Sequence, residues 1–550
     1  MKRAIAPIIK TISVLLFVTV ILLGSSCKKY TDVPRVDALP SAVTFTSAAN
    51  VELAAAGMYN TASVGTYNNA SPGRGYAFGA ASIEQGEMRG EDMVNLAAFY
   101  QITYQATYDA TTANNVNMWL NLYQLINQCN TFIDGVHTAA TANIITSGAA
   151  AVYEGEARFL RALAHHELLI HFCRPYLDNA GANPGIPYRT IAVNTQAAVA
   201  EATLVDRGTV KDCYTKLLAD LDYAEANLPA TRPAGGTYAA FPISRAEQGA
   251  AIALKTRIKL HMGDWAGVIA EGAKLGTGAA TGPYISPIGG YKLTATPDAP
   301  FTSTGAANTE AVFYIENSSK ANGGVNGALP AMLGPADKGG RGLVATSPNL
   351  YNAAFWVNSD TRRTLLQVQQ STAGAKYFFN YKYRDYANLT DWAPIIRYAE
   401  VLLNVAEAYA RTTALDPRAL GLLNAVRNRA VAVADQYTIA GFATGDALTV
   451  SILNERRIEF TGEGRRWADI TRLAMDPNPA FVVGSAPGIP AKVLVGSLAG
   501  DGSNYDIVAR PAIPATFAAI PYSSFKFLWP IPNTELAANP TLAKAQNPGY

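Results

Sequence analysis

Apolar residues recur at helical spacing through much of the chain. Trp119, Tyr123, Ile126 and Ile133 follow one another at intervals of four, three and seven residues, which places them on one face of a helix. Residues 157–172 repeat this pattern, and Ser244 followed by Glu247 has the spacing of a capping box at a helix start. Further helices are predicted over residues 210–228, 245–262, 395–410, 418–432 and 450–473.

Regular periodicity is lost in two long regions. Residues 276–349 are rich in Gly, Pro, Thr and Ala, with one apolar run at 311–315 that predicts a short strand. Residues 476–550 are Pro-rich and irregular. Helix pairs of about 34 residues that stack side by side are typical of tetratricopeptide-like repeats. We therefore expect a mainly α fold with little β: a single helical domain over residues 46–550, with a loop-rich insertion around 276–390.

The N-terminus has the pattern of an export signal. Three basic residues, Lys2, Arg3 and Lys10, precede an apolar run at residues 12–23. This run is too short to span a membrane. Gly24-Ser25-Ser26 then precedes Cys27, a pattern typical of bacterial lipoprotein signals. We predict a signal peptide over residues 1–26, acylation of Cys27 and a tether over 27–45. Gly24 stands where such signals usually carry Leu, Val or Ile, so cleavage without lipidation stays the alternative.

Charge and cysteine content narrow the function classes. Loss of residues 1–26 would lower the formal charge from +2 to about −1, and no dense basic block follows, so the pattern gives no indication of nucleic-acid binding. Cys129, Cys173 and Cys213 remain, an odd number without CxxC spacing. This argues against a disulfide framework or a zinc knuckle and predicts small buried thiols.

Several ordered motifs together resemble the SusD/RagB family of Bacteroidota outer-membrane lipoproteins. The motifs are Gly57-Met58-Tyr59, 90–93 (GEDM), 119–133 (WLNLYQLINQCNTFI), 156–163 (EARFLRAL), 220–228 (DLDYAEANL), 392–407 (WAPIIRYAEVLLNVAE), 423–430 (LNAVRNRA), 455–472 (ERRIEFTGEGRRWADITR) and 528–550, which contains LWPIPNTEL and ends in QNPGY. The resemblance implies about four tetratricopeptide-like units and a loop-rich subdomain. It also implies a non-enzymatic protein without cofactors that captures oligosaccharides, or in some members peptides, for a SusC-type TonB-dependent transporter.

Two patterns could suggest an enzyme. His166 and His171 are five residues apart, which leaves their rings about 140° apart on a helix, so they are not expected to share a metal as an i, i+4 pair does. Glu455, Glu459 and Glu463 share a predicted helical face, and paired carboxylates can hydrolyse glycosides. They are interleaved with arginines, which favours ion pairs and lowers a carboxylate pKa, the wrong direction for a general acid.

Aromatic residues in the loops are the better binding candidates. A ring stacked on a sugar face removes about 40–60 Å² from water, worth roughly 1–1.5 kcal/mol. The resemblance places the ligand site in loops after the first helical region and in the later insertion. The candidates there are Tyr76, Phe99, Tyr100, Tyr104, Tyr291, Phe301 and Trp356, with Asn69 and Arg74 as hydrogen-bonding neighbours. For each ring the alternative is packing in the core or within a loop.

Four functional readings stay open at this point. The first is a lipid-anchored outer-membrane protein, facing the cell surface, that binds a glycan through such rings. A peptide-binding relative would instead show an extended groove lined by backbone-pairing groups. A glycoside hydrolase would show two carboxylates converging in a cleft. A protein scaffold would show a large apolar concave surface and no pocket.

Overall fold

A computed structural model describes residues 43–231, 242–302, 307–371, 374–484 and 486–550. The fold is mainly helical. The helices are α1 (Ala48–Ser63), α2 (Ala80–Met88), α3 (Gln101–Tyr104), α4 (Ala113–Thr141), α5 (Ser147–Phe172), α6 (Gln196–Ala202), α7 (Val210–Asn227), α8 (Gln248–Met262), α9 (Trp265–Lys274), α10 (Ala299–Thr302), α11 (Leu329–Leu333), α12 (Pro348–Tyr351), α13 (Arg362–Leu365), α14 (Tyr398–Thr412), α15 (Pro417–Arg427), α16 (Gly445–Phe460), α17 (Arg466–Leu473) and α18 (Asn533–Ala538).

The long helices form a continuous stack in chain order. Helix α1 packs on α4, α4 on α5, α5 on α7, α7 on α8, α8 on α9, α9 on α14, and α14 on both α15 and α16. This stack of paired helices is the arrangement that the helical periodicity and the tetratricopeptide-like spacing predict. Its interior joins one contiguous apolar core that reaches from Val51 on α1 to Trp529 near the C-terminus. The predicted burial of Cys129, Cys173 and Cys213 is confirmed.

Capping residues explain where several of these helices begin. Thr209 and Asp212 form a capping box at the start of α7, and Asp264 caps α9 by accepting from the Gly267 N–H at 2.9 Å. Asp416 precedes Pro417, the first residue of α15. Proline is favoured there because the first turn of a helix leaves its N–H groups unused.

The predicted start of the 245–262 helix is wrong. Helix α8 begins at Gln248 with Glu247 as its N-cap, and Ser244 ends a short 3-10 turn, Pro242–Ser244. Tertiary contacts hold the intervening residues outside the helix. The Arg245 guanidinium donates to Glu156 at 2.8 Å, and the Ala246 N–H donates to the Tyr59 hydroxyl at 3.0 Å.

Two other predicted helices differ from the structure. Residues Ala393–Arg397 form a strand before α14, because they pair with the buried strand Ala311–Ile315. The predicted helix over 450–473 is broken between α16 and α17 at Gly462 and Gly464, which have φ values of +80° and +74°. Their N–H groups donate to the Glu87 carboxylate at 3.1 and 2.8 Å, which fixes this turn against α2.

The loop-rich region contains short antiparallel strand pairs instead of an extended sheet. The predicted strand at 311–315 is confirmed as β2. The pairs are β1 (Met93–Asn95) with β3 (Val344–Thr346), β2 (Ala311–Ile315) with β6 (Ala393–Arg397), β4 (Gln367–Gln369) with β5 (Phe378–Asn380), and β7 (Gly488–Ile489) with β8 (Ile520–Pro521). The first two pairs connect this region to α2 and to α14, so the loops are anchored on the helical stack.

The predicted signal peptide, Cys27 and most of the tether lie outside the described residues. Within the described ranges, no helix has both the length and the apolar character that crossing a bilayer requires.

Candidate functional site

Five of the predicted ligand-binding rings are core residues. Tyr76, Tyr100, Tyr104, Tyr291 and Trp356 are at most 5% exposed. Their rings have no accessible face in this conformation, so the structure does not support stacking of a ligand on them. The local reason is clear for two of them: the Tyr104 hydroxyl donates to the Val493 carbonyl at 2.7 Å, and Trp356 packs on Tyr351 at 5.5 Å.

Part of the predicted set does meet at the surface, together with residues that were not predicted. We define the Tyr67 patch as Tyr67, Arg74, Phe99 and Arg341, all half-buried. The Arg74 guanidinium carbon lies 3.5 Å from the centre of the Tyr67 ring and 5.3 Å from that of Phe99. The Arg341 guanidinium carbon lies 5.1 Å from the Phe99 ring centre. Two rings and two cations therefore form one surface cluster.

Carboxamides and apolar side chains border this patch. Asn69 is exposed in the turn that pairs Tyr67 with Ala70. The Asn326 carboxamide oxygen accepts from Arg341 Nη1 at 2.7 Å. Two apolar side chains close in sequence to these residues are also exposed: Ile102 is 44% exposed and Val325 is 59% exposed. The patch thus combines ring surface, guanidinium donors and amide groups.

Helix α4 fixes the first loop of the patch. The Asn121 carboxamide accepts from the Thr66 N–H at 2.8 Å, and the Asn117 carboxamide accepts from the Asn68 N–H at 2.8 Å. Both asparagines lie one turn apart on the same helical face. Because they bond backbone groups on either side of Tyr67, the position of that ring is set by the scaffold.

A glycine brings the second loop into place. A Cβ added to Gly327 would lie 2.7 Å from the Arg74 Cα, closer than a side chain tolerates. Glycine at 327 therefore permits the loop from the 276–390 region to contact the loop after α1. This contact places Asn326 and Arg341 beside Arg74 although the sequence separates them widely.

A second layer of rings supports the patch from below. Tyr76 lies parallel to Tyr67, with ring centres 6.1 Å apart, and its hydroxyl donates to the Asn114 carboxamide at 3.0 Å. Tyr100 packs edge-on against Phe99 at 4.7 Å. The predicted residues Tyr76 and Tyr100 thus lie next to the patch, but they are buried beneath its half-buried rings.

The electrostatics of the patch come from two cations above a buried acid. Among the described residues, neither Arg74 nor Arg341 has a carboxylate within 4 Å, so both guanidinium groups retain donors for a ligand. Burial raises the pKa of Glu84 on α2 to about 8, while the neighbouring Tyr100 hydroxyl and Arg341 oppose the rise. Glu84 is therefore largely protonated at neutral pH and does not neutralise the patch.

The remaining predicted rings lie elsewhere. Tyr291 contacts Glu247 through its hydroxyl at 3.4 Å, and Phe301 packs on Tyr383 with ring centres 6.1 Å apart. Trp356 belongs to a separate small apolar cluster. Tyr67, Arg341 and Asn326 were missed because no local pattern marks them. Arg341 sits in a Gly-rich run that the sequence indicates as loop, and only the folded chain brings it to Phe99.

The three carboxylates considered for catalysis belong to a buried ion cluster. Glu459 accepts from Arg362, Arg397 and Arg429 at 2.8, 2.8 and 2.7 Å. Burial alone would raise the pKa of Glu459, but these arginines outweigh it and hold the pKa well below its usual range. Glu455 pairs with Arg362 at 2.6 Å, and Glu463 pairs with Arg397 at 2.8 Å. All three carboxylates are buried in ion pairs, so the predicted ion pairing is confirmed, but the arginine partners lie on other segments of the chain and are not the interleaved ones.

The two histidines considered for metal binding face different neighbours. The His166 ring lies 4.8 Å from that of His261, whereas the His171 ring stacks on Trp529 at 4.7 Å. Burial, with a smaller contribution from Arg257, lowers the pKa of His166 to about 3, so this ring is neutral at physiological pH. Within the described residues no group of three or more His, Cys, Asp or Glu side chains is arranged to hold a metal ion.

The described chain is a stack of paired helices that carries a surface cluster of rings and cations on its loops. Sequence comparison assigns the family: the SusD family model matches residues 358–550, and a second model, described as starch-binding associating with outer membrane, matches residues 47–260. The chain belongs to the SusD/RagB family.

Known relatives agree with this assignment. SusD-like protein P2 of Formosa agariphila is 25% identical over 393 residues, which is 62% of this chain and 72% of that protein. A SusD superfamily structure from Bacteroides fragilis is 24% identical, with a TM-score of 0.67 and coverage of 90% of this chain and 99% of the other. A laminarin-binding SusD-like protein is 18% identical, with a TM-score of 0.62 over 92% of this chain and 100% of the other. At these identities the two structures establish the shared fold.

Proposed function

We propose that this protein captures an oligosaccharide at the Tyr67 patch and does not cleave it. The observation that carries the proposal is the cluster of Tyr67, Phe99, Arg74 and Arg341 on loops that the helical stack holds in place. The Arg74 guanidinium covers the Tyr67 ring, so Phe99 is the platform left for a sugar face, at roughly 1–1.5 kcal/mol. Hydrogen bonds from the Arg74 and Arg341 guanidinium groups at roughly 1.5–3 kcal/mol each bring the affinity into the micromolar-to-millimolar range. Such an affinity suits capture followed by release.

The carbohydrate assignment draws on the relatives as well as on the patch. One matching family model is described as starch-binding, and one related structure is named as laminarin-binding. Flat rings flanked by guanidinium and carboxamide groups are suited to the apolar faces and hydroxyls of sugars. The burial of Glu455, Glu459 and Glu463 in ion pairs supports a binding role, because these carboxylates lie out of reach of a ligand at the protein surface.

We further propose that the protein is anchored to the outer membrane through Cys27, faces the cell surface, and passes its ligand to a SusC-type TonB-dependent transporter. The sequence signal before Cys27 and the family description of outer-membrane association support the location. The domain organisation proposed with it is the cleaved signal at residues 1–26, the tether at 27–45 and one helical domain with a loop-rich insertion.

Two experiments test these proposals. The purified protein is incubated with a panel of oligosaccharides that includes starch and laminarin fragments, and the recovered sugars are analysed for chain length. Saturable binding with intact sugars is expected, and shortened products would refute the non-enzymatic role. For the partner, affinity purification from detergent-solubilised envelopes is expected to recover a large outer-membrane transporter with the wild-type chain. The control is a chain that lacks residues 1–26, carries Cys27→Ala and therefore stays in the cytoplasm. If this chain recovers the transporter as well as the wild type does, assembly at the membrane is contradicted.

A further inference from the structure

A cleft lies beside the C-terminal segment, on elements that do not form the Tyr67 patch. It has a volume of about 800 Å³ and is lined by Arg174, the loops at 183–184 and 206–208, and the segments 523–525 and 544–549. We call it the C-terminal cleft. Its volume lies in the range of sites for small organic ligands, about 300–1,000 Å³.

Two of its lining cations are bonded to neutral groups. Arg207 is 7% exposed, and its Nε and Nη1 donate to the carbonyls of Gly185 and Ala545 at 2.6 and 2.8 Å. Its Nη2 has a sulfur neighbour, Cys173 Sγ, at 3.9 Å. These contacts satisfy donors but supply no negative charge to the buried guanidinium group.

Arg174, which also lines the cleft, is half-buried and likewise bonded to a neutral group. Its Nη1 donates to the Tyr522 carbonyl at 2.5 Å, and its guanidinium carbon lies 4.4 Å from the Tyr522 ring centre. Ion pairs within 4 Å join many other arginines of the described chain to carboxylates, but none is found for Arg174 or Arg207. The nearby Asp178 accepts instead from the Tyr522 hydroxyl at 2.6 Å.

The charge balance of the lining is positive. Lys544 is exposed at the rim, and Asp206 is the single acid among the described lining residues. The Asp206 carboxylate accepts from the Gly208 N–H at 3.0 Å, within its own turn. A buried cation without a counter-charge is costly, and an anion in the cleft would offset that cost.

We propose that the C-terminal cleft binds a small organic anion through an oxyanion group: a carboxylate, a sulfate ester or a phosphate. Guanidinium groups match the planar or tetrahedral oxygen arrays of such groups. The volume of the cleft is larger than an inorganic ion needs, which favours a ligand of about sugar size. The inference stands apart from glycan capture at the Tyr67 patch, because the two sites share no residue.

A matched ligand series tests the proposal by calorimetric titration of the purified protein at low ionic strength. Glucuronate, glucose 6-phosphate and glucose 6-sulfate carry the three oxyanion groups, and glucose is their neutral counterpart. At least one charged probe is expected to bind saturably and more tightly than glucose, and 0.3 M salt is expected to weaken that binding. The preferred probe then identifies which oxyanion the cleft accepts.

Variants locate the binding. Arg174→Gln is expected to weaken the charged probe about tenfold or more, the loss expected for a charge-assisted hydrogen bond. Lys544→Gln, at an exposed position that folding does not require, is expected to weaken it severalfold. Lys320→Gln, at an exposed lysine elsewhere, and Phe99→Ala, in the Tyr67 patch, should leave it unchanged. The proposal is overturned if no charged probe binds more tightly than glucose, or if Lys544→Gln and every folded Arg174→Gln sample bind like the wild type.

Discussion

The Arg74 guanidinium lies 3.5 Å from the centre of the Tyr67 ring, at the junction of two loops that the helical stack anchors separately. This contact covers ring surface of Tyr67 and holds a cationic donor at the protein surface. A sugar hydroxyl can accept from that donor while the sugar face approaches Phe99. In the proposed site this pair supplies a hydrogen-bond donor on a fixed ring, and the two residues can be replaced one at a time.

Replacement of Arg74 tests the donor. Arg74→Ala is expected to lower oligosaccharide affinity about 10- to 150-fold, because a hydrogen bond from a charged group is worth roughly 1.5–3 kcal/mol. Calorimetric titration with the best glycan of the panel measures the change. Arg418→Ala is the matched control, since its guanidinium lies 4.0 Å from the Tyr409 ring centre in a similar stack outside the patch. Equal affinities for Arg74→Ala and the control would contradict a role of Arg74 in binding.

The buried ion cluster predicts a large stability loss from one substitution. Arg397, 1% exposed, pairs with both Glu459 and Glu463 at 2.8 Å. Arg397→Met leaves these buried carboxylates with less counter-charge and is expected to lower the free energy of unfolding by about 3–5 kcal/mol. Chemical denaturation measures this.

The control for that loss is an ion pair whose arginine is exposed. Arg418 pairs with Asp416 at 2.7 Å with 41% of its side chain exposed. Arg418→Ala is expected to cost less than about 1 kcal/mol, because solvent screens such a pair. Similar losses for Arg397→Met and Arg418→Ala would show that burial of the cluster contributes little.

Glu84 predicts a loss of stability as the pH rises. Burial raises its pKa from 4.5 to about 8, so between these values the folded protein holds a proton that the unfolded chain has released. The stabilising contribution is complete below about pH 4.5 and disappears as the pH rises through 8. Glu84→Gln cannot ionise, so its free energy of unfolding should exceed that of the wild type by a few kcal/mol at pH 8 and differ little at pH 5.

Denaturation curves across this pH range provide the measurement. Glu201→Gln, at an exposed glutamate, is the control and should reproduce the wild-type profile. If Glu84→Gln and the wild type keep a constant difference from pH 5 to pH 8, Glu84 is already ionised in the folded protein and the argument fails.

The lowered pKa of His166 predicts that the free energy of unfolding falls as the solution becomes acidic, which is opposite to the pH dependence expected from Glu84. Burial lowers its pKa from 6.5 to about 3, so the unfolded chain binds a proton in that window that the folded protein does not. Its contribution is complete above about pH 6.5 and is lost as the pH falls toward 3. NMR titration of the histidine rings should show no protonation of His166 between pH 8 and pH 5. A midpoint near 6.5 for this ring would be incompatible with its burial against His261.

The helices were predictable because their apolar periodicity is set within each segment. The strand Ala393–Arg397 was not, since its apolar residues fit a helix equally well and only pairing with Ala311–Ile315 decides between the two. The start of α8 likewise depends on the Arg245–Glu156 ion pair, which a local capping pattern cannot reveal.

The region of the candidate site was predictable, but its exposed members were not. The pattern marks Tyr76 and Phe99 alike as loop aromatics, whereas the fold places Tyr76 beneath Tyr67 and leaves Phe99 half-exposed. Arg341 joins the patch through close packing of Gly327 on Arg74. Such contacts join loops that are far apart in the chain. A single sequence shows no periodic pattern from which they could be predicted.

The central claim is that an oligosaccharide binds at the Tyr67 patch, and calorimetric titration of wild type, Phe99→Ala and Phe355→Ala with the same glycan tests it most directly. Phe355 is a half-buried ring outside the patch. The account predicts saturable binding by the wild type and Phe355→Ala, with affinity about 5- to 13-fold lower for Phe99→Ala, the loss of one ring platform. Unchanged affinity of folded Phe99→Ala, or no binding of any glycan by the wild type, would contradict it.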